Sequence, residues 1–156
     1  MERTFAGPQV DIAHLLVPTL WLGMLIGVSF IGTPAKFGAA TLSLPVALDV
    51  GRTTFALFNW IEWGMLALLV VVVVFSEPLA FASLATVVVA LILTLQTTWL
   101  LPVLDDRIAD IIGGHTRPPA SYHIIYIGAD IVKGGLLVAT AWTQTRNLVG
   151  QFQKTT

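Results

Sequence analysis

The sequence contains no cysteine and little charge. Only 11% of its 156 residues are Asp, Glu, Lys or Arg, whereas 56% are hydrophobic. The absence of cysteine excludes disulfides, thiolate metal sites, thiol redox relays and cysteine nucleophiles. A soluble domain usually carries about 25% charged residues. A chain of this length also has too little interior to hide this many apolar side chains from water. A lipid bilayer removes that difficulty, and a net charge of −1 gives no reason to expect a nucleic-acid partner.

Four apolar segments are long enough to cross a bilayer as helices. About 20 residues span the hydrocarbon core, and the windows 12–33, 55–76, 79–101 and 122–142 meet this requirement. Their β-branched runs would suggest strands in water, but in lipid an unpaired strand leaves its backbone groups unsatisfied. We therefore predict an all-α fold, a single transmembrane domain over residues 1–156 that forms an integral membrane four-helix up-down bundle.

The lengths of the connections predict the topology. Glu77 and Pro78 leave room only for a tight turn between spans two and three, whereas the connections 34–54 and 102–121 are long. Alternating direction places both long loops on one face of the membrane, the loop side, and both termini on the other. The loop side carries four Lys or Arg and the termini side three, so the positive-inside rule leaves the orientation open.

Both long loops contain patterns of short interfacial helices. Ser43 before Leu44-Pro45 is typical of a helix start, with serine as the N-cap and proline in the first turn. Residues 104–112 place apolar side chains on one helical face and charged ones on the other, as in an amphipathic interfacial helix. Two glycines, Gly113 and Gly114, follow it.

Polar residues interrupt three of the spans in the half nearest the long loops. On a helix that turns about 100° per residue, those of span four fall within an arc of about 80°, and the two of span two also share a face. Span three contributes one residue at the same level. We predict that they form a ligand-binding or polar cavity comprising Asn59, Glu62, Gln96, His123, Tyr126, Asp130 and Lys133.

Depth in the membrane decides which way the charged members point. With a rise of 1.5 Å per residue, Glu62 and Asp130 lie about 10–12 Å below the loop-side ends of their helices, and Lys133 about 16 Å. A charge at the bilayer centre costs at least about 2.5–3.5 kcal/mol. The three side chains should therefore face the interior of the bundle, with Lys133 near Asp130 or Glu62.

Two interpretations of these charged residues stay open from the sequence. They form either a buried hydrogen-bonded network that fixes helix register or part of a cavity open toward the loops. One lysine neutralises only one of the two acids. The remaining charge needs a proton or a cation from the loop-side charges Lys36, Arg52 and Arg107.

The three histidines do not make a metal site. His14 falls near the termini side and His123 near the loop side, so a metal would have to use His115 together with His123. That pair lacks a third ligand at helical spacing. We predict no metal and no cofactor. Phosphate-binding glycine loops, nucleophile elbows and zinc-protease helices are also missing.

The end of the first span carries a family resemblance. Residues 22–37, LGMLIGVSFIGTPAKF, form a Gly-rich helix that runs into Pro and then Phe, and residues 99–102, WLLP, precede an acidic and basic stretch. In these features the chain resembles the small four-span proteins of the DUF4149 group, related to transmembrane protein 205. The anthrone-oxygenase-like DUF1772 proteins have a similar layout and first helix. The resemblance implies a four-helix membrane bundle and carries over no catalytic residue.

Three classes of function fit these residues. The first is a small membrane protein that binds or transports a small solute, ion or proton. The second is a non-catalytic accessory subunit of a membrane complex, or a homo-oligomer, because the charge-free spans one and three suit protein partners as well as lipid. The third is a small oxygenase or isomerase that uses the polar residues as acid–base groups on a lipophilic substrate. We rank them in that order and therefore expect a non-enzymatic role. The expected location is a bacterial inner membrane.

Overall fold

A computed structural model of the protein describes residues 8–76, 80–115, 118 and 121–155, and within these ranges the chain is helical without a strand. The predicted all-α four-helix fold is confirmed. The helices in chain order are α1 (Pro8–Leu25), a π-helical segment (Ile26–Gly32), α2 (Thr33–Phe37), α3 (Leu44–Phe75), α4 (Ala80–Leu95), a second π-helical segment (Gln96–Leu100), α5 (Leu101–Ile112) and α6 (Tyr122–Thr155).

Four continuous spans arise from these elements. They cover Val10–Phe37, Leu44–Phe75, Ala80–Ile112 and Tyr122–Gly150, and each is long and apolar enough to cross a membrane. The chain is thus a multi-pass integral membrane protein. Each span extends beyond the apolar window that predicted it, because the backbone stays helical into the interface. The tight turn predicted at Glu77-Pro78 lies outside the described residues.

The helices predicted in the two long loops are present as extensions of spans. Helix α3 begins at Leu44, after Ser43 at the N-cap position, and continues through span two without a break. The amphipathic helix of the second loop is α5, which continues span three through the π-helical segment and ends at Gly113. Gly114 then takes a positive φ of 80°, a conformation that favours glycine.

The four spans pack in a ring in chain order. Helix α1 lies between α6 and α3, and α4 lies between α3 and α6 on the opposite side. Large apolar side chains cover the outside, with Trp60, Ile124 and Val74 each about 70% exposed or more. Such surfaces are unusual on soluble monomers and suit contact with lipid.

A layer of apolar side chains packs inside the bundle on the termini side of the polar residues of spans two to four. Its members come from all four spans and are almost completely buried. They are Trp21, Leu66, Leu69, Val73, Val89, Leu93 and Leu137. We call this set the apolar core.

Two π-helical segments lie at the level where the polar residues begin. A π turn adds a residue to the helical repeat, and such turns are frequent at functional sites. The first contains Ser29, and the second begins at Gln96. Both side chains hydrogen-bond Asp130 on span four, so the two irregular segments face the same point of the bundle.

Candidate functional site

Four side chains form a buried ion cluster at the middle of the bundle, defined here as Glu62, Gln96, Asp130 and Lys133. The Nζ atom of Lys133 lies 2.5 Å from Glu62 Oε1, 2.8 Å from Gln96 Oε1 and 3.1 Å from Asp130 Oδ1. All four side chains are at most 1% exposed. The inward orientation that the sequence predicts for the three charged residues is therefore present. The ammonium donates hydrogen bonds to Glu62 and Gln96 and forms an ion pair with Asp130.

Span one completes the cluster with two residues that the sequence analysis did not select. Trp21 Nε1 donates to Glu62 Oε1 at 3.1 Å, and Ser29 Oγ donates to Asp130 Oδ2 at 2.7 Å. Gln96 Nε2 also donates to Asp130 Oδ1, at 3.0 Å. Trp21 and Ser29 are eight residues apart, a spacing that places two residues on roughly one helix face. This spacing is the signal that the sequence offers for the pair, because the window 12–33 contains no charged residue.

The ion cluster holds more acid than base. Two carboxylates face one ammonium, and the described residues offer no hydrogen-bond partner to the buried Oε2 atom of Glu62. An isolated buried charge is costly, so the stability of the cluster depends on the hydrogen-bond donors around the two acids. Trp21, Ser29 and Gln96 supply three neutral donors that stabilise the acids without changing the charge.

The loop-side cations lie away from the ion cluster in the contacts that the structure describes. Arg52 Nε lies 2.8 Å from Asp49 Oδ1, and its Nη1 lies 3.9 Å from Asp105 Oδ1. The guanidinium of Arg107 lies 5.7 Å from the ring centroid of Tyr122 and donates to the carbonyl of Pro118. Neither arginine therefore supplies the counter-charge that the sequence analysis considered for the acids.

A cavity of about 510 Å³ lies on the loop side of the ion cluster. Every span contributes to its wall, for example through Thr33, Phe55, Thr97 and Tyr126. On each span, the lining residues are closer to the long loops than the residue that contributes to the ion cluster or bonds to it. The cluster thus forms the layer beneath the cavity. We call this space the loop-side cavity.

The predicted site residues divide between these two regions. Asn59, His123 and Tyr126 line the loop-side cavity, together with the loop-side charges Lys36 and Arg52. The remaining four form the ion cluster and are not part of the cavity wall. For the three charged residues the structure has the hydrogen-bonded network, and the cavity above it is lined by other residues.

Tyr126 is the polar residue at the boundary between the two regions. It is 2% exposed and lies one helical turn from Asp130, and its ring packs edge-on against Phe55 with a centroid distance of 5.2 Å. Its hydroxyl has no hydrogen-bond partner in the described part of the chain. Buried hydroxyls are nearly always paired, and an unpaired one costs about 1–3 kcal/mol. The structure therefore leaves one buried hydroxyl without a partner on a residue that lines the loop-side cavity.

A second polar contact joins spans two and three beside the cavity. The hydroxyl of Thr97 accepts from Asn59 Nδ2 at 2.9 Å and from Trp63 Nε1 at 3.0 Å, and it donates to the Leu93 carbonyl at 2.8 Å. Because these bonds use the hydroxyl fully, Thr97 fixes the distance between the two spans.

The histidines stay apart from one another and from the ion cluster. His123 is exposed in the first turn of α6 and lines the cavity, and His115 follows the end of α5. His14 is buried near the termini side, with Nδ1 3.3 Å from Ser76 Oγ. The described residues bring together no group of three His, Asp or Glu side chains suited to a metal ion.

Comparison of the chain with protein-family models, with curated proteins and with solved structures finds no match. The resemblance to the DUF4149 group therefore stays a prediction, and the functional argument rests on the geometry of the loop-side cavity.

Proposed function

We propose that the protein binds a small molecule in the loop-side cavity, at the hydroxyl of Tyr126. The observation that carries this proposal is the combination of an open space of about 510 Å³ with a tyrosine that lines it and whose buried hydroxyl has no partner among the described residues. Ligand pockets are typically about 300–1,000 Å³, with mainly apolar walls and a few polar groups that orient the ligand. The wall fits that description.

The composition of the wall supports a ligand with both apolar and polar parts. Phe37, Phe55, Leu101 and Leu104 supply apolar surface, whereas Tyr126 supplies a hydroxyl donor. The ion cluster beneath does not line the cavity. In this proposal it fixes the register of the spans and positions Tyr126 through the helical turn that joins it to Asp130.

Binding is favoured over passage through the membrane. In the described part of the bundle, the ion cluster and the apolar core fill the interior below the cavity. A solute that crossed the bilayer would have to displace the hydrogen bonds of Lys133 to Glu62 and Gln96 and its ion pair with Asp130. We also propose, from the motif at residues 22–37, that the chain belongs to the DUF4149 group and acts in a bacterial inner membrane.

The test removes the single hydroxyl. The protein would be purified in a mild non-ionic detergent, and the mass of any bound small molecule would be measured by native mass spectrometry. We expect the wild type to retain a bound molecule and Tyr126→Phe to lose most of it. The substitution breaks no hydrogen bond within the described protein, so the melting temperature should not fall.

Tyr122→Phe is the matched control, because Tyr122 lies one turn earlier on α6 and does not line the cavity. It should retain the bound molecule. A wild type that carries nothing, or equal retention in the two variants, would contradict the proposed binding site.

A further inference from the structure

Lys36 is a cation in the wall of the loop-side cavity without a carboxylate partner among the described residues. Arg52 lines the same cavity but is paired with Asp49 at 2.8 Å and lies 3.9 Å from Asp105. The acids at the mouth, Asp105 and Asp106, are exposed to solvent. Among the cavity cations described, the ammonium of Lys36 is therefore the one available to a ligand.

The ammonium of Lys36 occupies a defined position beside Phe37, Phe55 and Gly51. Its Nζ is 5.1 Å from the ring centroid of Phe37 and 5.6 Å from that of Phe55, within cation–π distance of both. On span two it rests against Gly51, where a Cβ atom would overlap the Nζ. A lysine near a membrane interface usually extends its ammonium outward to water or lipid headgroups. This one points into the bundle, because Gly51 leaves space for it.

Phe55 connects Lys36 with Tyr126. Its ring contacts the Lys36 ammonium and also packs against the Tyr126 ring at 5.2 Å. A positive donor and a free hydroxyl donor thus flank one aromatic ring. A carboxylate has two acceptor oxygens and suits two such donors.

The cavity wall also reaches the lipid-facing surface. Trp60, which lines the cavity, is 76% exposed on the outside of span two, and its neighbour in the wall Ala56 is exposed as well. A molecule bound at Lys36 can therefore extend an apolar part along this side toward the lipid. This favours an amphiphile over a fully water-soluble anion.

From these contacts we infer that the ligand of the loop-side cavity is a single-chain amphiphile with a carboxylate head, bound by Lys36 and Tyr126. The inference rests on the proposed binding function and specifies its ligand class. A bilayer phospholipid is the competing source of an anionic head, and the test separates the two.

The test compares three probes that share a chain and differ in head charge: dodecanoate, dodecanol and dodecylammonium. Each is titrated into the purified protein in a non-ionic detergent at about pH 8, where the carboxyl and the amine are both ionised. Binding is measured by native mass spectrometry. A charge-assisted bond to the head predicts that dodecanoate binds about ten-fold tighter or more than dodecanol, and that dodecylammonium binds weakest.

Two variants test the assignment to Lys36. Lys36→Gln removes the charge and should abolish the preference of the protein for dodecanoate over dodecanol. Gly51→Ala keeps the charge but displaces the ammonium from this position, so it should also reduce the preference for dodecanoate over dodecanol. Arg107→Gln is the control, because it removes one loop-side charge outside the cavity wall.

The outcomes separate the two proposals. Equal binding of the three probes to the wild type, or an unchanged preference in Lys36→Gln, would overturn the carboxylate inference and leave the cavity as a binding site. Binding of none of them, in a protein that carries no other small molecule, would overturn both. If the protein retains phosphatidylglycerol and dodecanoate does not displace it, Lys36 binds a phospholipid head group, and the inference is overturned.

Discussion

The two halves of the bundle solve the problem of a membrane interior in opposite ways. In the half nearest the termini, large side chains such as Leu69, Leu93 and Leu137 fill the space between the spans. In the loop-side half, small or polar residues such as Gly51 and Thr97 lie among larger apolar ones, and an open cavity is left between the spans. The same four helices continue through both halves. The difference therefore comes from the side chains of the inner face and not from a change of fold.

The ion cluster lies at the boundary between these halves. Helix association in lipid depends on packing and interhelical hydrogen bonds, since lipid tails are as apolar as leucine. The apolar core supplies packing on one side of the boundary. At the boundary itself, bonds from Trp21, Ser29 and Gln96 to the two acids join spans one and three to spans two and four.

The largest effect is expected from removing the cation of the ion cluster. Lys133→Met leaves Glu62 and Asp130 buried without their shared partner. Breaking a buried ion pair by removing one partner costs about 3–5 kcal/mol. The free energy of unfolding, measured by titration with a denaturing detergent in mixed micelles, should fall by about that amount. The control is Arg146→Met, on the same helix at an exposed position, which should change the free energy of unfolding by less than about 1 kcal/mol. Equal losses in the two variants would mean that the ion cluster makes no specific contribution to stability.

A smaller effect should distinguish the packed half from the open half directly. Leu93 is completely buried in the apolar core, whereas Leu104 borders the cavity. Leu93→Ala creates a new void and should cost about 2 kcal/mol or more. Leu104→Ala only enlarges an existing space and should cost less than about 1 kcal/mol. The same unfolding titration measures both, and equal losses would show that the cavity is as tightly packed as the core.

Much of this arrangement follows from the sequence, and its limits have physical causes. The spans and the inward orientation of Glu62, Asp130 and Lys133 follow from the cost of exposing backbone and charge to lipid. The π-helical segments do not follow, because one added residue in a turn depends on contacts with neighbouring helices. Without that shift, Ser29 cannot be matched to Asp130 from periodicity alone.

The division between cluster and cavity was also beyond the sequence. Helical periodicity places Tyr126 and Asp130 on one face of span four, and both do point inward. Periodicity gives direction but not the volume left between neighbouring helices. That volume depends on small residues of other spans, such as Gly51. Helical spacing does not predict that the Lys36 side chain lies against Gly51.

The smallest difference is expected between variants that neutralise the two acids, and it tests how the boundary is held. Asp130 accepts hydrogen bonds on both oxygens, from Gln96 at Oδ1 and from Ser29 at Oδ2, and its Oδ1 lies 3.1 Å from Lys133 Nζ. Glu62 accepts through Oε1 alone, and its Oε2 has no partner in the described chain. Asp130→Asn must therefore lose or rearrange a bond and should cost about 1–3 kcal/mol.

Glu62→Gln can place its amide nitrogen where the unpartnered oxygen lies and keep both bonds to the other oxygen. It should cost less than about 1 kcal/mol in the same unfolding titration. Both substitutions remove one negative charge from the same cluster, so the difference between them reports the hydrogen bonds rather than the net charge. Equal costs would mean that the net charge, and not the network of donors from spans one and three, decides the stability of the boundary.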